Sequence, residues 1–296
     1  MCVLVPSNDG IKIKRSYQIS QKNTSLDLNY RQYIIVHCMR AAEKNPVDLS
    51  VYDRFPQLKE IPKEGFPKHL LIIPDGNRRF AKSLGQTPIE GHRQGIDIIL
   101  DLLRDMRELP INVVTFWALS SDNFNSRTPE EIQGLMQLME IGIHANLDEL
   151  HANNVRLIHL GRKDRISRTL YEAIVHAEEL TNNNTGQTLC LAIDFSGEDQ
   201  DVRVSQEIAQ RVQAGKLLPQ DITPQIICSL RDGRGLIPPA DLLIRTSGER
   251  RTSGIGWLEG KETELYFTEK LFPQIKTDDI VNAIVDFARR QRRFGA

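Results

Sequence analysis

Residues 69–95 read HLLIIPDGNRRFAKSLGQTPIEGHRQG, and this stretch decides our interpretation of the fold. Its apolar run at 70–73 has the length and composition of a buried strand. The run stops at Pro74, a turn containing Gly76 follows, and a helical pattern begins after the turn. A strand that feeds a helix in this way leaves free backbone N–H groups and the positive end of the helix dipole at the junction, where anions bind.

Charged side chains lie at this junction. Arg78 and Arg79 are planar, permanently charged groups that suit phosphate oxygens. Asp75 lies among them, and a carboxylate beside anion-binding groups is an arrangement that Mg²⁺ uses when one carboxylate and substrate phosphates hold it. The stretch therefore predicts a magnesium–diphosphate site. A capped helix with solvated arginines is the alternative interpretation, and it stays open at this point.

Short apolar strands alternate with longer helical segments from residue 69 onward. Strands are predicted at 70–73, 113–119, 155–160, 188–193, 242–245 and 265–267. Helices are predicted at 94–108, 130–153, 168–180, 204–214 and 278–290. Strands separated by helices favour an α/β fold with a mostly parallel central sheet and helices on both faces.

Residues 1–65 differ in pattern from the rest of the chain. Apolar residues recur at helical spacing within 26–44, and Asn45-Pro46 would end that helix. Pro56 and Pro62 then punctuate a linker-like run. We interpret 1–65 as an N-terminal extension of unknown role and 66–296 as the main domain.

Composition and charge exclude several classes of protein. With 296 residues, 40% hydrophobic and 26% charged, the chain has an ordinary globular composition. A formal net charge of −1 argues against a general nucleic-acid binder. The 4 cysteines lack metal or CxxC spacing, and no apolar run approaches the roughly 20 residues that span a bilayer. Since no signal-peptide pattern opens the chain either, we expect a soluble, reduced, cytoplasmic protein.

A second polar cluster, SSDNFNSRTPEE, follows the predicted strand at 113–119. Ser120 and Asn123 can hydrogen-bond a diphosphate or hold a water. Arg127 is a further phosphate-binding fork, and Asp122 can transfer a proton or orient an arginine. The same residues also fit a polar turn that leads into a helix start, and both interpretations can hold at once.

A third cluster, RTSGERRTS at 245–253, packs arginines and hydroxyl residues around a glycine, which suits a second phosphate group. A solvated loop is its alternative interpretation. His92 could donate to phosphate, although a lone histidine is more often structural, and Glu264 is a candidate second carboxylate for the cation. Because ligands bind outside the carboxyl ends of strands in open α/β sheets, we expect the three clusters to face one cleft.

Four motifs resemble, in sequence order, those of the cis-prenyltransferase family: HLLIIPDGNRRFA…GHRQG, SSDNF…R, DLLIRTSGERRTS…ELYF and the closing RRFG. The resemblance spans about residues 69–295 and implies the fold of that family, with 66–296 as its catalytic domain. It implies condensation of isopentenyl diphosphate with an allylic prenyl diphosphate in cis geometry. It also implies Mg²⁺ as cofactor and a homodimer or heterodimer of a single fold, of which we expect the homodimer. We expect no nucleic-acid partner, given the net charge, and at most peripheral membrane contact.

The resemblance also implies roles for individual residues. Asp75 would engage Mg²⁺ and the allylic diphosphate, Glu264 would complete the metal site, and Asn123 would help to remove a proton from the isopentenyl unit. The residues that would cradle the allylic diphosphate are Gly76, Asn77, Arg78, Arg79 and His92. Those that would bind isopentenyl diphosphate are Arg245, Arg251 and Ser253. The other substrate-site residues are Ser120, Asp122 and Arg127, with Phe80 and Phe124 at positions where the family usually has tryptophan. Arg293 and Gly295 belong to a tail that would reach a partner's active site.

Several positions depart from the family's pattern. Pro88 stands where an arginine is common, Glu198 replaces an arginine, and 254–262 lacks the usual aromatic series. Three hypotheses follow: an enzyme making linear cis-polyprenyl diphosphates, a diverged enzyme making short, branched (head-to-middle) or cyclised products, and a non-catalytic partner of an active homologue. The retained charged residues favour an enzyme. The apolar face of 132–147 could line a tunnel for the growing chain or be plain core.

Overall fold

The computed structural model describes residues 3–7, 10–14 and 49–290 of the chain. The strands are β1 (Val3–Ser7), β2 (Gly10–Lys14), β3 (His69–Ile73), β4 (Val113–Ser120), β5 (Arg156–Leu160), β6 (Thr188–Phe195), β7 (Ala240–Arg245) and β8 (Glu259–Phe267). The helices are α1 (Val51–Arg54), α2 (Asn77–Ser83), α3 (Pro88–Met106), α4 (Ser121–Ser126), α5 (Pro129–Ala152), α6 (Arg168–Thr181), α7 (Gly197–Gln213), α8 (Pro224–Leu230) and α9 (Thr277–Arg289). Short 3₁₀ turns lie at Pro56–Glu60, Lys63–Gly65, Pro219–Asp221, Gly256–Leu258 and Phe272–Gln274.

Strands β3 to β8 form a six-stranded sheet in the order β5-β6-β4-β3-β7-β8. Every neighbouring pair in it is parallel. This arrangement confirms the predicted α/β fold with a parallel central sheet. β1 and β2 pair with each other in a separate antiparallel sheet. The helix predicted at 26–44 lies outside the described residues.

The start of α3 differs from the sequence prediction because a capping signal extends the helix. We predicted a helix from residue 94, whereas α3 begins at Pro88. The Thr87 hydroxyl accepts a hydrogen bond from Glu90 N–H (3.4 Å), and the Glu90 carboxylate accepts one from Thr87 N–H (2.7 Å). This added N-terminal turn places His92 on the helix, next to α2.

The last strand is longer than its apolar run. We predicted 265–267, but β8 spans Glu259–Phe267 along the edge of the sheet. Its first half contains Lys261 and Glu262, which are exposed. Charged residues are common on edge strands, where one side of the backbone faces solvent, so the apolar pattern alone underestimates such a strand.

The core lies on both faces of the sheet. Leu70 and Ile72 of β3 belong to one buried cluster, which also takes side chains from α3, α5, α6 and α9. Leu71 and Ile73 alternate with them and belong to a second cluster on the opposite face. Because both faces are covered, β3 is buried at every position, which explains its uninterrupted apolar sequence.

Residues 49–65 pack against this core. Val51 and Leu58 are fully buried in the same cluster as Leu70. Arg54 of α1 forms an ion pair with Asp105 of α3. The structure therefore attaches this part of the predicted extension to the main domain. A separate N-terminal extension that ends at residue 65 stays a prediction.

Helix α5 is 24 residues long and contributes its apolar face to the core. Ile132, Leu135, Met136, Ile143 and Leu147 are all buried in the first cluster. These side chains therefore form core. Within the described part of the chain, neither α5 nor any other helix combines the length and apolar character needed to cross a membrane.

Two histidines are buried within the sheet. His69 donates through Nδ1 to the carbonyl of Pro238 (2.7 Å) and accepts at Nε2 from the hydroxyl of Thr115 (2.8 Å). His159 donates through Nε2 to the carbonyl of Ile193 (3.1 Å). Burial lowers the pKa of both His69 and His159 to about 4, so both rings are neutral at pH 7.

We expect the free energy of unfolding to fall on acidification. The unfolded chain protonates these histidines below about 6.5, whereas the folded chain does so only near pH 4. Between pH 7 and pH 5 each buried histidine should therefore cost about 2 kcal/mol of stability, measured by urea denaturation at the two pH values.

Single variants identify the source of this pH dependence. His69→Asn should lose less stability than wild type between the two pH values, whereas His151→Asn, at an exposed position, should lose as much as wild type. Equal losses in all three proteins would contradict the assignment to His69.

Candidate active site

The turn after β3 carries Asp75 and is fixed to the end of β7. Asp75 N–H donates to the hydroxyl of Thr246 (2.9 Å), and that hydroxyl donates to the Asp75 carbonyl (2.6 Å). Phe272 N–H donates to the same carbonyl (2.9 Å). The backbone of Asp75 is thus satisfied within the protein, which leaves its carboxylate for other partners.

Gly76 makes the turn possible. Its φ of +103° lies in the region that favours glycine. A Cβ at this position would lie 2.9 Å from Cδ2 of Leu271, so a side chain would also collide with the neighbouring loop. Helix α2 then starts at Asn77, and the first-turn N–H groups of a helix have no acceptor within it.

Arg245, the last residue of β7, organises the third cluster. It is only 5% exposed. Its Nη1 donates to the Arg251 carbonyl (2.7 Å) and to the Ser253 hydroxyl (2.6 Å), and its Nη2 donates to the Asp75 carboxylate (3.1 Å). One guanidinium therefore joins the first and third clusters, although they are far apart in the sequence.

The three clusters face a single cleft of about 740 Å³ at the carboxyl ends of β3, β4 and β7. Thirteen of the predicted site residues line it: Asp75, Gly76, Asn77, Arg78, Arg79, His92, Ser120, Asp122, Asn123, Arg127, Arg245, Arg251 and Ser253. Ile73, Pro74, Lys82, Gln86, Pro88, Trp117 and Ala118 complete the lining. The expectation that these clusters face one cleft is therefore met.

Three predicted site residues do not line the cleft. Phe80 is half-buried on α2. Phe124 is turned toward the loop that carries Arg165 and packs under its guanidinium, with Cζ 4.8 Å from the ring centroid. Glu264 lies three residues before the end of β8 and accepts a hydrogen bond from Arg290 (2.6 Å). Within a single subunit, Glu264 therefore does not lie in the cleft that Asp75 lines. Its role as a metal ligand stays a prediction.

The predicted tail residues Arg293 and Gly295 lie outside the described residues.

Asn77 lines the cleft but uses its side chain inside the protein. Its Nδ2 donates to the Pro74 carbonyl (3.1 Å). A Cβ at Gly95 would lie only 2.6 Å from Oδ1 of Asn77, which shows that the amide is turned toward α3. The side chain that we expected to cradle a phosphate instead shapes the turn that precedes α2.

The cleft is strongly basic. Six basic side chains line it (Arg78, Arg79, Lys82, Arg127, Arg245 and Arg251), against two acidic ones (Asp75 and Asp122). His92 accepts at Nε2 from Arg127 Nη1 (3.3 Å), since an arginine can only donate. Burial, reinforced by Arg127 and Arg78, lowers the pKa of His92 to about 4, so the ring is neutral and carries its proton on Nδ1. This environment attracts an anion such as diphosphate.

The second cluster is both a helix cap and part of the cleft. The Ser120 hydroxyl accepts a hydrogen bond from Asn123 N–H (3.1 Å) and caps α4, which places Asn123 in the first turn. Thr128 caps α5 in the same way. The helix-cap interpretation is therefore confirmed, and the binding and proton-transfer roles of these residues stay predictions.

Sequence reasoning missed the glycines that seat α3 against α2. A Cβ at Gly91 would lie 2.3 Å from the carbonyl oxygen of Asn77 and 2.9 Å from Cβ of Ala81. Gly95 follows one turn later and meets the Asn77 side chain. The Gly91…Gly95 spacing was the available signal, because glycines four apart share one helix face.

We expect Gly91→Ala to lower the free energy of unfolding by about 1–3 kcal/mol, because the added methyl group meets backbone that cannot move aside cheaply. To make room for the methyl group, α3 should move away from α2. That movement should displace His92 and weaken diphosphate binding. Urea denaturation and titration calorimetry with inorganic diphosphate would measure the two effects.

Gly142→Ala is the matched control. Gly142 lies within α5, and a Cβ there would come no closer than 3.4 Å, to Ile96. That variant should be as stable as wild type or more stable, since alanine favours a helix over glycine. A stable, diphosphate-binding Gly91→Ala protein would show that this contact does not position the site.

A buried ion pair behind α4 was also missed. Asp194 is fully buried, and both its oxygens accept hydrogen bonds from Arg165, one of them at 2.8 Å. Arg165 also donates to the Asn125 side chain (3.2 Å) and stacks on Phe124. It therefore contacts α4 at the two residues that follow Asn123. Periodicity gives no signal for such a pair, because its members are far apart in the chain.

Several known proteins are similar to this chain in sequence and fold. A family profile described as "Putative undecaprenyl diphosphate synthase" matches residues 73–295. An isoprenyl transferase of Rhizobium meliloti is 37% identical over 238 residues, which are 80% of this chain and 96% of that protein. A ditrans,polycis-undecaprenyl-diphosphate synthase of Vibrio vulnificus, described as (2E,6E)-farnesyl-diphosphate specific, is 38% identical over 232 residues, or 78% of this chain and 92% of that one.

A solved structure matches as well. The lavandulyl diphosphate synthase from Lavandula x intermedia, solved in complex with dimethylallyl diphosphate, has a TM-score of 0.74 and 34% sequence identity to this chain. The match covers 79% of this chain and 100% of the synthase.

Proposed function

Because the chain belongs to the cis-prenyltransferase family, we propose that it condenses isopentenyl diphosphate with an allylic prenyl diphosphate to give a cis-polyprenyl diphosphate. The observation that carries this proposal is the single basic cleft, in which Arg79 and Arg245 approach Asp75 from different parts of the chain. Six basic side chains supply enough positively charged donors to bind two diphosphates.

In this proposal the cleft's own residues bind and orient both substrates. Arg78 and Arg79 bind the allylic diphosphate and stabilise the charge that it acquires on leaving. Arg245, Arg251 and Ser253 hold the second diphosphate, so the isopentenyl double bond meets the allylic carbon at high effective concentration. Asn123, which lines the same cleft, helps to orient the isopentenyl unit, and an oxygen of the departing diphosphate takes the proton whose loss completes the reaction.

Mg²⁺ fits the chemistry of this site. Asp75 would hold it, since its side chain is 34% exposed and lines the cleft. The described residues contain no group of three or more His, Cys, Asp or Glu that could hold a metal, so phosphate oxygens and water would complete the coordination, as Mg²⁺ prefers. When bound, the ion supplies Lewis-acid stabilisation of the leaving diphosphate.

We further propose that the enzyme works as a homodimer. The resemblance to the family supports this dimer. The metal role of Glu264 and the contribution of Arg293 and Gly295 to a partner's site are proposed for this dimer.

A second candidate function is the joining of two allylic units. It is favoured by the structural similarity to a synthase solved with dimethylallyl diphosphate. It is also favoured by Glu198 and 254–262, where the sequence departs from the family's usual pattern. A non-catalytic partner is disfavoured, because a scaffold has no need for the arginine cluster around Asp75.

One assay separates these candidates. The purified protein is incubated with Mg²⁺ and dimethylallyl, geranyl or farnesyl diphosphate, with and without isopentenyl diphosphate, and the products are identified by mass and retention. Elongation that requires isopentenyl diphosphate supports the main proposal. Product from an allylic substrate alone supports the second candidate, and turnover only with an added homologue supports the third.

We expect Asp75→Asn to lower kcat at least about 100-fold, because the charge that would hold Mg²⁺ is lost. The free energy of unfolding should stay close to wild type, since the asparagine oxygen can still accept from Arg245 at this partly exposed position. Asp101→Asn, on the exposed side of α3 beside Arg104, should keep wild-type turnover. Wild-type rates in Asp75→Asn would refute the metal assignment.

A further inference from the structure

Glu249 lies among the arginines of the cleft without lining it. Its carboxylate forms an ion pair with Arg251 and lies 3.9 Å from Nη2 of Arg79. Arg79 comes from α2 and Arg251 from the loop after β7. Glu249 therefore connects two arginines that the proposed function assigns to different diphosphate groups.

The fold fixes Glu249 at this position. The two residues before it, Ser247 and Gly248, both have left-handed backbone, with φ of 76° and 77°. Such a conformation costs about 1–3 kcal/mol at a non-glycine residue and persists only where the surroundings enforce it. Ser247 N–H donates to the Lys270 carbonyl (2.7 Å), and Gly248 N–H donates to the Thr268 carbonyl (2.9 Å).

Gly248 is favoured in this turn because its φ of 77° lies in the region that side chains rarely adopt. The turn is also tied to α2, since Arg79 Nη2 donates to the Ser247 hydroxyl (2.5 Å). These contacts direct residue 249 back toward Arg79 and Arg251.

The carboxylate and a diphosphate would compete for the same donors. Guanidinium groups bind carboxylate and phosphate oxygens in the same geometry, and Arg79 and Arg251 each contact Glu249. In a cleft with six basic side chains, an internal anion lowers the repulsion among the arginines before substrate binds. It also reduces the net attraction for an incoming anion.

We propose that Glu249 is an internal counter-ion, displaced from Arg79 and Arg251 when diphosphate binds and returning to them as diphosphate leaves. The inference rests on the proposed function in one respect, that the anion is a diphosphate. It makes Glu249 a residue that weakens diphosphate binding and favours product release.

Binding of inorganic diphosphate tests the proposal directly. Titration calorimetry with Mg²⁺ should show Kd about 5- to 10-fold lower for Glu249→Gln than for wild type, which corresponds to about 1–1.4 kcal/mol. Glu249→Asp keeps the charge and should stay closer to wild type. In the steady state, Glu249→Gln should show stronger inhibition by added diphosphate.

Glu269→Gln is the matched control. Glu269 lies on the facing loop and pairs with exposed Arg250 (3.6 Å), which does not line the cleft. Its Kd for diphosphate should stay within about twofold of wild type, since an exposed charge outside the cleft is largely screened. Equal tightening in Glu269→Gln would mean that overall charge, not the contact, sets the affinity.

The remaining outcomes also decide the question. Unchanged or weaker binding in Glu249→Gln would show that the residue only supports the arginines and would overturn the counter-ion role alone, because wild type still binds. A wild-type protein that does not bind diphosphate would overturn the proposed function together with this inference.

Discussion

The architecture of the cleft depends on the contact between the ends of two adjacent parallel strands. β3 and β7 pair in register up to Ile73 and Arg245, so the loops that follow them emerge side by side. Thr246 then bonds both backbone groups of Asp75, and Arg245 bonds its carboxylate. Without this junction, the turn that starts α2 and the arginine loop after β7 would be separate surface features.

Internal acceptors explain how the protein tolerates several positive charges in one cleft. Arg245 is buried with three internal acceptors, Arg127 lies 3.2 Å from Glu131, and Arg251 pairs with Glu249. Each arginine is thereby held in one orientation before an anion arrives. Fixed donors need little reorganisation when charge develops on a leaving group, which is the basis of electrostatic catalysis.

The sequence was sufficient to predict the sheet and the convergence of the three clusters, because parallel strands place their carboxyl ends on one edge. It was not sufficient for positions whose orientation depends on strand length or on distant partners. Glu264 has a suitable carboxylate but lies three residues before the end of β8, about 10 Å along the strand at the usual rise. Phe124 is turned by Arg165, and Glu249 by a left-handed turn, and neither influence leaves a local pattern.

The departures from the family pattern at Glu198 and at 254–262 meet in space and are best understood together. A Cβ on Gly197 would lie 2.3 Å from Cα of Gly256, and Gly197 N–H donates to the Gly254 carbonyl (2.8 Å). The loop that follows Ser253 therefore rests directly on the first turn of α7, where Glu198 lies. Gly254 and Gly256 both have left-handed backbone, which this close approach uses. A change on either side would shift Ser253 and with it the acceptor that holds Arg245, so the diphosphate pocket that we propose around Arg245 and Ser253 is coupled to the residues of α7.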